Sequence, residues 1–161
     1  MLVCELQTIE RLAGVLPALA TPLHMGGAFD EAGCRRVVRR CLEAGVHGLL
    51  ALGSTGEMAS LAPGVRRQMV ETVIDEASGR VPVLMGVAQV SLAAACEEVQ
   101  MAERLGAAAA LVTPPYYTPI DQETVLGFYR SLHAKCGLPL LVYNIPGSVS
   151  YTHLTLPTIL R

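Results

Sequence analysis

The 161-residue chain predicts a parallel α/β fold of about four and a half βα units. Five apolar runs of strand length, each bounded by Gly or Pro, start about 31 residues apart, and strands buried on both faces read this way. Segments of helical periodicity separate them. Hydrophobic residues make up 52% of the chain and charged ones 16%, which suits a single core.

In chain order, Gly14–Leu23 is the first expected strand. A helix follows in which Cys34, Val37, Val38, Cys41 and Leu42 share one face, while Arg35, Arg36, Arg39 and Arg40 share the other. Asp30 suits its N-cap and Gly45 its end. The second strand lies within Gly48–Gly53, and Pro63 and Gly79 bracket the next helix. Val81–Val87 is the third strand, followed by a helix from Ser91 to Gly106. Ala108–Pro115 is the fourth strand, followed by a helix from Asp121 to Gly137. Leu138–Pro146 is the fifth strand. Two architectures fit: a complete doubly wound sheet of five strands, or the front part of a (β/α)8 barrel, which needs about 250 residues. A fifth helix is due after Gly147, yet Ser148–Arg161 has no acidic residue and no helical period. The chain therefore divides into a fold-forming part, 1–147, and a tail, 148–161, that is expected not to be native to the fold. The tail resembles the translated adapter sequence found at the ends of metagenomic gene fragments.

A net charge of -2, from 12 Lys+Arg and 14 Asp+Glu, provides no basic footprint for nucleic acid or an anionic membrane surface. No apolar run reaches the roughly 18 residues of a spanning helix. Cys4, Cys34, Cys41, Cys96 and Cys136 are odd in number and lack CxxC or metal-ligand spacing. They read as free thiols of a reducing compartment, and no metal is expected. Glu5 and Glu10 stand where a signal peptide would be basic, so a cytoplasmic location is expected.

Parallel α/β folds bind ligands at the carboxyl ends of their strands, so the turns after each strand are where chemistry is sought. After the second strand, Gly53-Ser54-Thr55-Gly56-Glu57 sets two hydroxyls between glycines, where backbone N–H groups can converge on a carboxylate or phosphate. It has neither the Lys of a P-loop nor the spacing of GxGxxG, and such residues also serve turn geometry. The fourth strand ends in Thr113-Pro114-Pro115-Tyr116-Tyr117, the fifth in Tyr143-Asn144-Ile145-Pro146-Gly147. Tyr116 is read as packing at the mouth of the fold, Tyr117 and Tyr143 as functional.

Taken together and in order, GVLPALATPL, GSTGE, TPPYY and YNIPG resemble the pyruvate-dependent class I aldolases and lyases of the dihydrodipicolinate synthase and N-acetylneuraminate lyase family. The resemblance spans Gly14 to Gly147. It implies an incomplete (β/α)8 barrel from a homotetrameric enzyme that needs no cofactor and joins pyruvate to an aldehyde through a lysine Schiff base. It implies that Tyr143 passes protons at the carbonyl centre, that Ser54 hands them on, and that Tyr117 is contributed by a neighbouring subunit. Ser54 and Thr55 would hold the pyruvate carboxylate, and Glu57 would stabilise the turn. A relay of hydroxyls suits carbinolamine dehydration because each can donate and accept without net charge. The acceptor implied is aspartate semialdehyde, as in lysine biosynthesis; a sugar-acid lyase or dehydratase, or a non-catalytic anion-binding module, are the alternatives. Two departures stand out. Ser148 occupies a place where the synthases carry an arginine. The Schiff-base lysine falls beyond Arg161, and the sole lysine, Lys135, sits near a helix end that favours a solvated cation.

Overall fold

Four of the five apolar runs form hydrogen-bonded strands in the computed structural model, which describes residues 12–145. They are β1 (Leu49–Ala51), β2 (Val83–Val87), β3 (Ala109–Val112) and β4 (Leu140–Val142). Between and before them stand α1 (Glu31–Glu43), α2 (Pro63–Ala77), α3 (Leu92–Leu105) and α4 (Gln122–His133). Cys4 and the tail expected from Ser148 lie outside the described residues.

The expected first strand is shorter than its sequence suggests. Ala18 makes an isolated parallel bridge to Leu50, with the Leu19 N–H donating to the Leu50 carbonyl at 2.9 Å and the Leu50 N–H to the Pro17 carbonyl at 3.0 Å. Pro17 and Pro22 have no N–H to extend the ladder. The chain then turns back so that Leu23 and Phe29 bridge in antiparallel fashion.

The strands are all parallel and run β1-β2-β3-β4 across the sheet. A doubly wound sheet reverses its order at a switch point, and this one does not. Right-handed crossovers in unbroken sequence carry every helix to the same side, as in a barrel. The core reflects this one-sidedness. Leu49, Ala51, Met85, Val87, Ala110 and Val112 point to the helices and pack with Val38, Met69, Val73, Val99 and Leu132. The alternate residues Leu50, Leu84, Gly86, Leu111 and Leu141 stay outside that cluster and form the inner face. The fold is therefore part of a (β/α)8 barrel, and the doubly wound alternative is set aside.

Local chemistry ends the helices largely where expected. Asp30 accepts from the Gly33 N–H at 2.8 Å, Ser91 from Ala94 at 3.2 Å and Asp121 from Thr124 at 2.8 Å. Pro63 opens α2, and Gly106 takes a left-handed φ of 89° after α3. The last helix departs from expectation: α4 stops at His133 with Ala134 as its cap, short of Gly137.

The arginine face of α1 is partly a docking face. Arg35 Nη1 lies 2.6 Å from Asp75 and 3.1 Å from Glu76, and Arg39 Nε lies 2.7 Å from Glu76, tying α1 to α2. Hydrogen bonds from Arg39 and then Arg35 hold the Glu76 carboxyl below its ordinary value of 4.5. A carboxyl with a lowered folded pKa contributes stability above its unfolded pKa and loses it as pH falls through the folded one. Between α2 and α3, Arg66 reaches Glu98 at 2.7 Å and also donates to the Leu61 carbonyl at 2.8 Å. Burial outweighs that arginine and pushes the Glu98 carboxyl above its ordinary value.

A Cβ on Gly86 of β2 would run into the carbonyl oxygen of Leu52, the residue after β1. Gly86→Ala is expected to destabilise the fold by about 1–3 kcal/mol, read from urea midpoints at constant slope. Stability should begin to fall below about pH 4.5, and Glu76→Gln should flatten the urea midpoint against pH there, with the lowered Asp121 carboxyl still contributing in the same direction.

Candidate active site

The chain leaves β1 through a forced turn. Leu52, buried and branched, takes a left-handed φ of 58°, and the next residues wind into a 3-10 turn, Ser54–Gly56, closed by Glu57 at φ 57°. The Gly56 and Glu57 N–H groups bond back to the Gly53 and Ser54 carbonyls at 3.0 and 3.1 Å. The Ser54 and Thr55 N–H groups, first in the turn, have no acceptor within it. Gly56 must be glycine for space, since a Cβ would lie 2.9 Å from the Leu19 carbonyl oxygen. Thr21, at the end of the first apolar run, pins the turn from the side: its hydroxyl donates to the Gly56 carbonyl at 2.7 Å and also touches Met69 Sδ at 2.8 Å.

The other strand ends are equally well anchored. The Val112 carbonyl at the end of β3 accepts both the Tyr143 N–H at 2.8 Å and the buried Tyr129 hydroxyl of α4 at 2.7 Å. The Thr113 N–H continues the ladder to the Val87 carbonyl at 3.0 Å. Extending the β2–β3 and β3–β4 register by one residue puts Ala88, Thr113 and Tyr143 in one row on the inner face. Ser54 completes the row across the mouth, its hydroxyl 3.1 Å from that of Tyr143.

A cavity of about 290 Å³ opens over this row. Ser54, Thr113 and Tyr143 supply hydroxyls to its lining, Glu57 a carboxylate, and Met58 and Ala88 apolar wall. Among the described residues its lining has no cation, and no group of His, Cys, Asp and Glu could hold a metal. The same residues include no helix long and apolar enough to cross a membrane. Two hydroxyls in contact beside a mostly apolar cavity can pass a proton in either direction, which is what such a row can do chemically.

Of the residues singled out from the sequence, Ser54 and Tyr143 meet here, and Thr55 stands exposed on the same turn. The adjacent tyrosines take different places. Tyr116 lines the cavity as well as packing on the core, while Tyr117 is 85% exposed and outside the lining. Lys135 is exposed after α4 and before β4, at the amino ends of the strands and so opposite the cavity. Thr21 and Thr113 went unrecognised in the sequence. The available signal was position alone: each is a lone hydroxyl closing an apolar run at a strand's carboxyl end.

A profile of the dihydrodipicolinate synthetase family matches residues 11–161. A 4-hydroxy-tetrahydrodipicolinate synthase of Methylobacterium radiotolerans is 45% identical over 139 residues, covering 86% of this chain and 46% of the relative. The chain thus spans about half the length of the curated relatives it matches. The crystal structure of a chloride-inhibited dihydrodipicolinate synthase from Acinetobacter baumannii, complexed with pyruvate, superposes with a TM-score of 0.83 at 32% identity, covering 86% of this chain and 47% of that one. N-acetylneuraminate lyase from Mycoplasma synoviae superposes at 0.78 with 25% identity, covering 85% and 48%.

Thr21→Val keeps the shape but removes the donor to the Gly56 carbonyl, and is expected to cost about 0.5–1.5 kcal/mol in chemical denaturation.

Proposed function

The chain belongs to the dihydrodipicolinate synthetase family, and on that premise we propose that it is the first part of a Schiff-base-forming pyruvate aldolase of the 4-hydroxy-tetrahydrodipicolinate synthase type. The full protein would condense pyruvate with aspartate semialdehyde. The observation that carries this reading is the 3.1 Å contact between the Ser54 and Tyr143 hydroxyls in a cavity at the carboxyl ends of parallel strands.

In the proposed reaction a neutral lysine amine attacks the carbonyl carbon of pyruvate. Tyr143 delivers a proton to the carbinolamine oxygen so that it leaves as water, and Ser54 passes protons onward. The resulting iminium draws electrons from the methyl group, which loses a proton, and the enamine attacks the aldehyde carbon. The Ser54 and Thr55 N–H groups, unclaimed inside their turn, suit the pyruvate carboxylate. Tyr117 is exposed in the way a side chain lent to a neighbouring protomer of a homotetramer would be. The reaction calls for no cofactor, and a reducing, cytoplasmic setting suits the free thiols: burial pushes Cys34 up to about 11, which keeps it unreactive. The second reading, a sugar-acid lyase or dehydratase, is the alternative to a non-native tail: a native Ser148 would stand where the resemblance calls for an arginine. The tail from Ser148 is proposed not to be native to the fold.

The amine is the missing part, because Lys135 stands at the wrong end of the strands in solvent. Borohydride reduction with pyruvate, followed by intact mass, should therefore show no adduct on this chain. Residues 1–145 joined to the second half of a curated relative should be labelled on the new lysine. In that extended protein Tyr143→Phe should slow labelling by roughly 10²–10⁴-fold. A pyruvyl adduct on Lys135 would overturn the reading.

A further inference from the structure

The hydroxyl row contains one member without a partner. Ser54 and Tyr143 bond to each other, but the Thr113 Oγ1 has no hydrogen-bond partner among the described residues, although the residue is only 4% exposed. Its neighbour Val112 points to the helices, so Thr113 points to the inner face, where it lines the cavity beside Tyr143. A buried hydroxyl that satisfies nothing in the fold is destabilising there, and a threonine costs more than the valine that would fill the same volume.

We propose that Thr113 is a positioning residue for the bound 2-oxoacid, its hydroxyl donating to the carbonyl oxygen at the floor of the cavity. This rests on the aldolase reading above and adds a contact to it. The carboxylate is held at the Ser54 turn on one side of the row, and the carbonyl carbon must lie within reach of Tyr143 on the other. Thr113 follows the strand next to that of Tyr143 and is the more buried of the two. A donor there fixes the rotation of the oxo group about its bond to the carboxylate carbon, and so sets which face meets the amine. Threonine can donate because its proton is claimed by no other group.

The test uses the extended protein, with Thr113→Val removing the hydroxyl at constant shape and Thr113→Ser restoring it. For Thr113→Val, the pyruvate concentration that half-saturates borohydride labelling should rise about 2- to 12-fold, the range of a single lost hydrogen bond. The maximal labelling rate should fall less, and Thr113→Ser should return half-saturation toward wild type. The ligand-free Tm of Thr113→Val should rise while the upward shift that pyruvate produces shrinks; a purely structural hydroxyl would move the first and leave the second. Labelling of Thr113→Val with wild-type half-saturation would overturn this inference alone and assign the hydroxyl to bound water. Absence of labelling in the extended wild-type protein would overturn the aldolase reading and this inference together.

Discussion

The site depends on one close approach, that of the Leu52 carbonyl to the bare α-carbon of Gly86. β1 has to end abruptly so that the following turn can swing over the sheet, and a left-handed Leu52 is how the backbone accomplishes it. That conformation is unfavourable for a branched residue, so something has to hold it. Full burial of the Leu52 side chain and the space left by glycine on β2 are what the structure provides. Once the carbonyl is seated, Ser54 is carried to the mouth of the cavity and its hydroxyl meets Tyr143, which comes from a segment 89 residues later.

Strand spacing and helix caps were legible because they are local. Asp30, Pro63, Ser91 and Asp121 each act within a few residues of their own position, and the structure places them as the sequence suggests. The first apolar run forms only an isolated parallel bridge, because its hydrophobicity reports burial while Pro17 and Pro22 remove N–H donors from the ladder. The run pattern left barrel and doubly wound sheet open, since both bury the same runs and differ only in which strands pair; the family resemblance pointed to the barrel, and the strand order agrees. At the site, Ser54 and Tyr143 were found through motif and family resemblance. Which member of the Tyr116–Tyr117 pair faces the cavity depends on how two prolines steer the backbone, and composition does not reveal that. Thr113 was invisible for a related reason: a threonine ending a strand has a high β propensity whether or not its hydroxyl has a task.

The ion pairs are concentrated on the helix layer. Arg35, Arg39, Asp75 and Glu76 join α1 to α2, and Arg66 with Glu98 joins α2 to α3. Arg66 also holds the Leu61 carbonyl, just after the segment whose Met58 walls the cavity, so an ion pair in the helix layer steadies the rim indirectly. The cavity itself is left to neutral hydroxyls and one carboxylate, a setting in which protons can move without first breaking a salt bridge.

The alternation of faces along β3 has an evolutionary consequence. Val112 and Thr113 are covalent neighbours, yet one is locked among helices and the other borders the cavity. A substitution at the first is judged by packing, and one at the second by whichever molecule occupies the cavity. Because the same two-residue rhythm runs through β2 and β4, a lineage can exchange the inner row while the helix-facing row stays untouched. Enzymes with different substrates can then descend from one scaffold by changing every second residue at the tips of a few strands.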